Sequence, residues 1–209
     1  MKKIITALGL VSLLSGVARA EPSLTLEALR ETPNNQNLVR ATVLSSLPGD
    51  VSAFAFVDFY GRSSDAFYSE ASIGREVYEG LGPKLEWNGG SGMDDLFRAG
   101  LEYIPSLGDG VFLDLKAYPL TIGSNGRVLP TSQVSLFGRL DLPWNKSYLE
   151  NWTDVNISLE DNPDRRVDVS SEATLGTRLT GDLSLEVQGL YNVTVPHELE
   201  ARAGFRYKF

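Results

Sequence analysis

His197-Glu198-Leu199-Glu200-Ala201-Arg202-Ala203-Gly204-Phe205-Arg206-Tyr207-Lys208-Phe209 is the stretch whose reading decides the fold. Taken in steps of two, one face carries Leu199, Ala201, Ala203, Phe205, Tyr207 and Phe209. The other carries Glu198, Glu200, Arg202, Gly204, Arg206 and Lys208. A side-chain period of two is that of a β-strand, apolar on one side and charged on the other. In a soluble sheet the charged face would meet water and the apolar face a core. In a membrane barrel the assignment is reversed, and three aromatics crowding the end of the apolar face read as an interfacial girdle.

The strand resembles the last strand of bacterial outer-membrane β-barrels, which ends on an aromatic residue, most often Phe, with further aromatics two and four places earlier. The resemblance implies that Phe205, Tyr207 and Phe209 act in membrane targeting, read by the barrel-insertion machinery. The other end of the chain agrees. Met1-Lys2-Lys3 is a positive start, Ile4 to Leu14 is mostly apolar, and Ala18-Arg19-Ala20 is a small-x-small cleavage site before Glu21. Residues 1–20 are therefore expected to be a secretory signal peptide and 21–209 an outer-membrane β-barrel domain. The address expected for a Gram-negative cell is the outer membrane, with its lipid as a partner.

Composition narrows the function classes. The 209 residues carry 19 basic and 27 acidic side chains, a formal net charge of −8. The expected signal holds Lys2, Lys3 and Arg19 and no acid, so the remainder is more acidic still. That balance argues against nucleic acid as a partner. With no cysteine there is no disulfide framework, thiol chemistry or Cys-zinc site. No stretch after the signal approaches the roughly 18 apolar residues of a membrane helix. A barrel keeps its membrane signal in alternation instead.

Twelve alternating runs follow the signal. Leu24 to Arg30, the first, is the weakest. Leu38 to Leu47, Val51 to Tyr60 and Asp65 to Tyr78 come next, separated by Pro48-Gly49-Asp50 and Gly61-Arg62-Ser63-Ser64. The fifth, Pro83 to Asn88, is short and meets Gly89-Gly90-Ser91-Gly92. Phe97 to Tyr103 and Val111 to Tyr118 form a pair, followed by an expected loop from Thr121 to Pro130. Val134 to Leu142 is the eighth; Pro143 to Asn151 is expected to be irregular, with an interfacial turn at Tyr148 and Leu149. Val155 to Glu160, Val167 to Leu179, Leu183 to Val195 and the terminal stretch complete the set. An antiparallel up-and-down transmembrane barrel of twelve strands is the all-β reading; weakness in runs one and five leaves ten open. Both termini then lie at one end, with Tyr103, Trp144, Tyr207 and Phe209 at that interface and Phe59 and Trp87 at the other. A soluble sandwich or lipocalin-like barrel with the faces inverted remains the competing architecture.

The face expected to line the lumen carries both signs: Arg98, Lys116, Arg139, Arg178, Arg202 and Arg206 against Asp58, Glu70, Glu86, Glu102, Asp114, Asp141, Glu172, Glu186 and Glu200. Such charges either neutralise one another across strands, as Glu102 and Lys116 could, or line a polar, mildly cation-tolerant passage. About twelve strands predict a narrow or plugged lumen, and no connection is long enough to fold in as a constriction loop. Phe54, Phe56, Asp58, Tyr60, Tyr68 and Glu70 share one phase, and aromatic faces beside acceptors suit ring-shaped polar solutes. Packing under a narrow wall is the plainer reading of the same cluster.

Phe54-Ala55-Phe56-Val57-Asp58-Phe59, Tyr68-Ser69-Glu70 and Leu85-Glu86-Trp87-Asn88-Gly89-Gly90 resemble the early strands of the small twelve-stranded nucleoside-specific channel (Tsx-like) family. The resemblance implies passage of nucleosides. Enzyme readings are weaker. An outer-membrane lipid-modifying enzyme needs a histidine beside a serine, whereas the sole histidine, His197, follows Pro196 with no serine motif nearby. No calcium loop, phosphate loop, metal site or cofactor motif is present. The expected function is a narrow passive channel for small polar solutes, with no catalytic residues. A structural or adhesion-type barrel closed by its own ion pairs is the competing class.

Overall fold

A computed structural model describes residues 23–32, 36–61, 66–144, 146–158, 167–193 and 200–209. The expected signal peptide, Leu199 and His197 lie outside these residues. Alternation becomes strand throughout: β1 (Ser23–Thr32), β2 (Asn37–Leu47), β3 (Val51–Tyr60), β4 (Ala66–Arg75), β5 (Leu81–Gly90), β6 (Met93–Tyr103), β7 (Val111–Gly123), β8 (Val128–Leu129), β9 (Thr131–Asp141), β10 (Ser147–Ser158), β11 (Val167–Arg178), β12 (Leu183–Asn192) and β13 (Glu200–Lys208). Each strand pairs antiparallel with its neighbour in sequence, including β6 with β7, except that β9 pairs with β7 and not with β8. The sheet closes where β1 meets β13, with Thr25 opposite Lys208 and Thr32 opposite Ala201. The two-residue β8 folds back on β7 and leaves the wall to β9, so twelve strands form a closed barrel. Closure removes both sheet edges, the condition for a sheet to cross hydrocarbon without unpaired backbone groups.

Three stretches expected to be irregular are strand. Gly89 and Gly90 stay in β5, and only Ser91-Gly92 turns. β7 runs on to Gly123 and Val128 pairs back with Ile122, so the expected ten-residue loop shrinks to a tight turn. β10 begins at Ser147, which makes Tyr148 and Leu149 strand residues instead of an interfacial turn. The physical reason is common to all three. A wall residue that faces a polar interior or carries no side chain looks, in sequence, like a loop residue.

The phases separate cleanly across most of the circumference. Leu140, Leu149, Leu175, Val187 and Ala203 are successive register partners on β9 to β13, and each is exposed on the outer surface. Arg139, Glu150, Thr174, Gln188 and Arg202 form the adjacent row and face inward. Glu186 is 0% exposed while Leu185 beside it is 44% exposed, the inverse of a soluble sheet. Over β3 and β4 the outward phase is instead small and covered, with Ala53, Ala55, Val57 and Ser69 buried. Phe205, Tyr207 and Phe209 are exposed outward at the end of β13, where the Tyr207 and Phe209 rings meet at 4.7 Å. The belt of bare leucine and valine is suited to hydrocarbon, and strands of nine to thirteen residues match the ~9–11 needed for a tilted crossing. The chain is a transmembrane barrel of the outer-membrane type. Val187→Arg, placing a charge near the middle of that belt, is expected to lower folding stability by about 2–4 kcal/mol. Denaturant titration in lipid vesicles checks this, and an unchanged midpoint would contradict the outward assignment.

Candidate functional site

Side chains crossing the interior define the candidate site. β3 and β10 stand opposite one another, with five strands between them in either direction. Trp152 of β10 nevertheless reaches Phe54 and Phe56 of β3, at ring-centroid distances of 5.8 and 6.0 Å. Phe137 of β9 backs Trp152 at 5.7 Å, and Phe112 follows at 5.8 Å. Lys116 of β7 places its ammonium 5.6 Å from the Phe54 ring and 5.2 Å from the Trp152 ring, within reach of cation–π attraction. Trp152 also donates its indole N–H to Asp154 at 3.2 Å. The lumen therefore carries a wall-to-wall aromatic bridge.

Beside that bridge runs an ionic one. Arg40 of β2 donates to Asp58 at 2.7 and 2.9 Å and to Glu172 of β11 at 3.1 Å. Its guanidinium lies 5.2 Å over Phe56, and Tyr60 donates its hydroxyl to Asp58 at 3.2 Å. Glu172 is the register partner of Trp152, so the ionic and aromatic bridges form one continuous partition. Two flanking sets of charges result.

On the β12–β13–β1 side, Arg206 stands 2.8 Å from each of Glu27, Glu150 and Glu186. Tyr148, 1% exposed, donates its hydroxyl to Glu186, and Arg139 stacks 4.2 Å over its ring. The ring occupies the space above Gly176, its register partner, where any Cβ would collide with it. Glycine is required there by close approach. Arg202 pairs with Glu31 at 3.5 Å and lies 3.8 Å from Glu200, while Asp141 accepts from Arg139 and Arg178.

On the β4–β7 side, Glu86 accepts from Arg98 at 2.9 Å, from the Tyr118 hydroxyl at 2.7 Å and from Asn88 at 3.1 Å. Lys84 is bound to Glu102, and Lys116 to Asp114 at 3.5 Å. Glu102 and Lys116 are register partners as the sequence suggests, yet they are not the ion pair. Lys84, two residues beyond the partner of Glu102 on β5, takes the carboxylate, and Lys116 turns toward Asp114 and the aromatic bridge. Among the described residues Glu70 accepts only from the Tyr68 hydroxyl, at 3.4 Å, and Tyr68 packs on Phe56 at 5.6 Å.

Every residue expected on the lumenal phase thus has its place in these clusters, at the stated contacts. Sequence reasoning missed the members that complete them: Glu27, Glu31, Arg40, Lys84, Tyr118, Tyr148, Glu150, Trp152 and Asp154. For four of these the signal was present. Tyr148, Glu150, Trp152 and Asp154 alternate with Leu149, Asn151, Thr153 and Val155, a period of two inside a stretch that its polarity disguises.

No protein-family profile matches the chain. No curated protein matches it either. Solved structures do. The chain is similar to the NanC porin, with a TM-score of 0.66, 8% identity, and coverage of 89% of this chain and 100% of that one. It is similar to the KdgM porin solved in complex with disordered oligogalacturonate, with a TM-score of 0.55, 13% identity, and coverage of 90% and 99%. It is also similar to an outer-membrane channel from Pseudomonas putida F1, with a TM-score of 0.53, 12% identity, and coverage of 90% and 93%. At these identities the likeness is one of fold, and it agrees with the twelve-stranded closure. Placement in the bacterial outer membrane follows from that fold and from the exposed belt.

Proposed function

We propose that the protein is a narrow passive channel for small polar solutes, with the residues named above as its lining and with nucleosides among the solutes tested first. The observation that carries this reading is the content of the interior. It holds carboxylates, guanidiniums, ammoniums and aromatic faces, a polar lining able to exchange hydrogen bonds with a passing solute. Acids outnumber bases along the lining, so cations and neutral solutes meet a lower barrier than anions. The KdgM porin was solved with a chain of sugar acids; the acidic interior here fits such a solute poorly. Phe54, Phe56 and Tyr68 beside Asp58 and Glu70 offer stacking faces next to acceptors, as a nucleobase or sugar requires.

A second reading has its own support. The partition joining β3 to β10 and β2 to β11 crosses the centre, as expected of a barrel closed by its own side chains. Planar-bilayer recording of the purified, refolded protein separates the two. Discrete conductance steps with a reversal potential favouring cations are expected; silence at every voltage would overturn the channel, and an anion preference would contradict the acidic lining. Liposome swelling with nucleosides, sugars and amino acids then ranks the solutes, and swelling with sugars but not nucleosides would remove the nucleoside assignment. Phe205, Tyr207 and Phe209 form the proposed signal to the insertion machinery, and residues 1–20 the proposed export signal.

A further inference from the structure

The wall between β4 and β5 holds three buried oxygen atoms to which no group among the described residues donates. Glu70 is 5% exposed and its Oε1 has no partner; Asn88, directly opposite it in register and 3% exposed, has a free Oδ1; the Oγ of Ser72, also buried, is free as well. Ser72 follows Glu70 by two residues and so shares its inward face. Side chains directly opposite in a ladder stand about 4.5–5.5 Å apart at Cβ. Glu70 and Asn88 are therefore adjacent across the ladder, and Ser72 lies one step along the same face, about 7–8 Å from Asn88 on the diagonal. Glu70 has no ion-pair partner among the described residues, unlike Glu86, Glu102 and Asp114 around it. Leaving a buried carboxylate oxygen without a partner is costly, so a donor is called for.

The donor's character follows from the surroundings. Phe56 is the other register partner of Glu70, and its ring meets that of Tyr68 at 5.6 Å. Rings of this bridge already carry tethered cations: Arg40 lies over Phe56 and Lys116 over Phe54. A carboxylate, two neutral acceptors and an aromatic wall match a group with positive charge and several N–H bonds but no lone pair to offer. A bare metal ion fits poorly, because no group of three His, Cys, Asp or Glu close enough to hold one occurs among the described residues.

We infer that the lumen contains a binding site for a primary ammonium group, formed by Glu70, Asn88 and Ser72 against Phe56 and Tyr68. This rests on the proposed channel reading and names a solute class for it, small organic amines. The three N–H bonds of a primary ammonium are taken by Glu70 Oε1, Asn88 Oδ1 and Ser72 Oγ, and its alkyl part lies along the aromatic wall.

Isothermal titration of the full-length barrel refolded in detergent tests this with three probes of similar size. n-Butylammonium is expected to bind, with tetramethylammonium (no N–H) and n-butanol (no charge) each weaker by about tenfold or more, the loss of a charge-assisted hydrogen-bond set. Glu70→Gln should weaken n-butylammonium by about tenfold or more, and Ser72→Ala, a milder change, by several-fold. Retained heat-modifiable mobility on gels identifies folded variants. Equal affinity for all three probes, no binding of n-butylammonium, or a folded Glu70→Gln or Ser72→Ala with unchanged affinity would overturn the site. The same protein in bilayers separates the failures. Conductance without amine binding removes the site and leaves the channel. Amine binding without conductance leaves the site and removes the channel.

Discussion

Trp152→Ala is expected to raise single-channel conductance by about twofold or more, because narrow lumens are governed by their tightest point. The indole is the only side chain that touches both Phe54 and Phe56 from the opposite wall among the described contacts, and Phe137 and Lys116 rest on it. Alanine removes the central span of the partition and frees the Lys116 ammonium from one of its two aromatic faces. Stability should move the other way. Loss of the Lys116 contact alone is worth about 0.5–2 kcal/mol, and loss of ring packing adds to it. A larger pore in a less stable barrel is the signature of a constriction. Conductance unchanged in Trp152→Ala would place the narrowest point elsewhere.

Arg206→Met is expected to be among the most destabilising single changes in the barrel. The guanidinium lies within 2.8 Å of Glu27, Glu150 and Glu186, all of which face inward and two of which are buried. Methionine fills much of the volume but leaves three carboxylates facing one another. Breaking a buried pair by removing one partner costs about 3–5 kcal/mol. Lys208→Met, at the exposed end of the same strand, should stay within about 0.5 kcal/mol. Urea titrations of both variants in vesicles make the comparison, and equal midpoints would mean that the carboxylates are solvated well enough not to need Arg206.

What was legible in the sequence was whatever depends on phase. Leu185 against Glu186 and Phe205 against Arg206 declare inside and outside by period two alone, and the hairpin turns are marked by residues such as Pro48-Gly49-Asp50. Strand ends were less legible. Gly89, Gly90 and Ser147 belong to the wall but carry side chains, or none, that a loop would also carry. Partner choice was the least legible. Register put Glu102 opposite Lys116, yet a long lysine on β5 reaches Glu102 from a diagonal position, and nothing local decides between the two. Contacts across the lumen depend on closure. Trp152 meets Phe54 only because β1 pairs with β13, a fact spread over the entire chain, and so Trp152 and Arg40 were not singled out.

The central claim is that the apolar phase meets lipid and the ionic phase encloses the interior. Adjacent residues of β12 test it directly, since Val187 is 53% exposed and Gln188 1% exposed, and the chain has no cysteine to interfere. Nitroxide labels on Val187→Cys and Gln188→Cys, each in the refolded barrel in vesicles, should differ in paramagnetic relaxation. At position 187 dissolved oxygen, which concentrates in hydrocarbon, should dominate over a water-soluble nickel chelate; at position 188 oxygen accessibility should be low. The reverse pattern, or equal oxygen accessibility at both positions, would contradict a membrane-spanning barrel with this face turned inward.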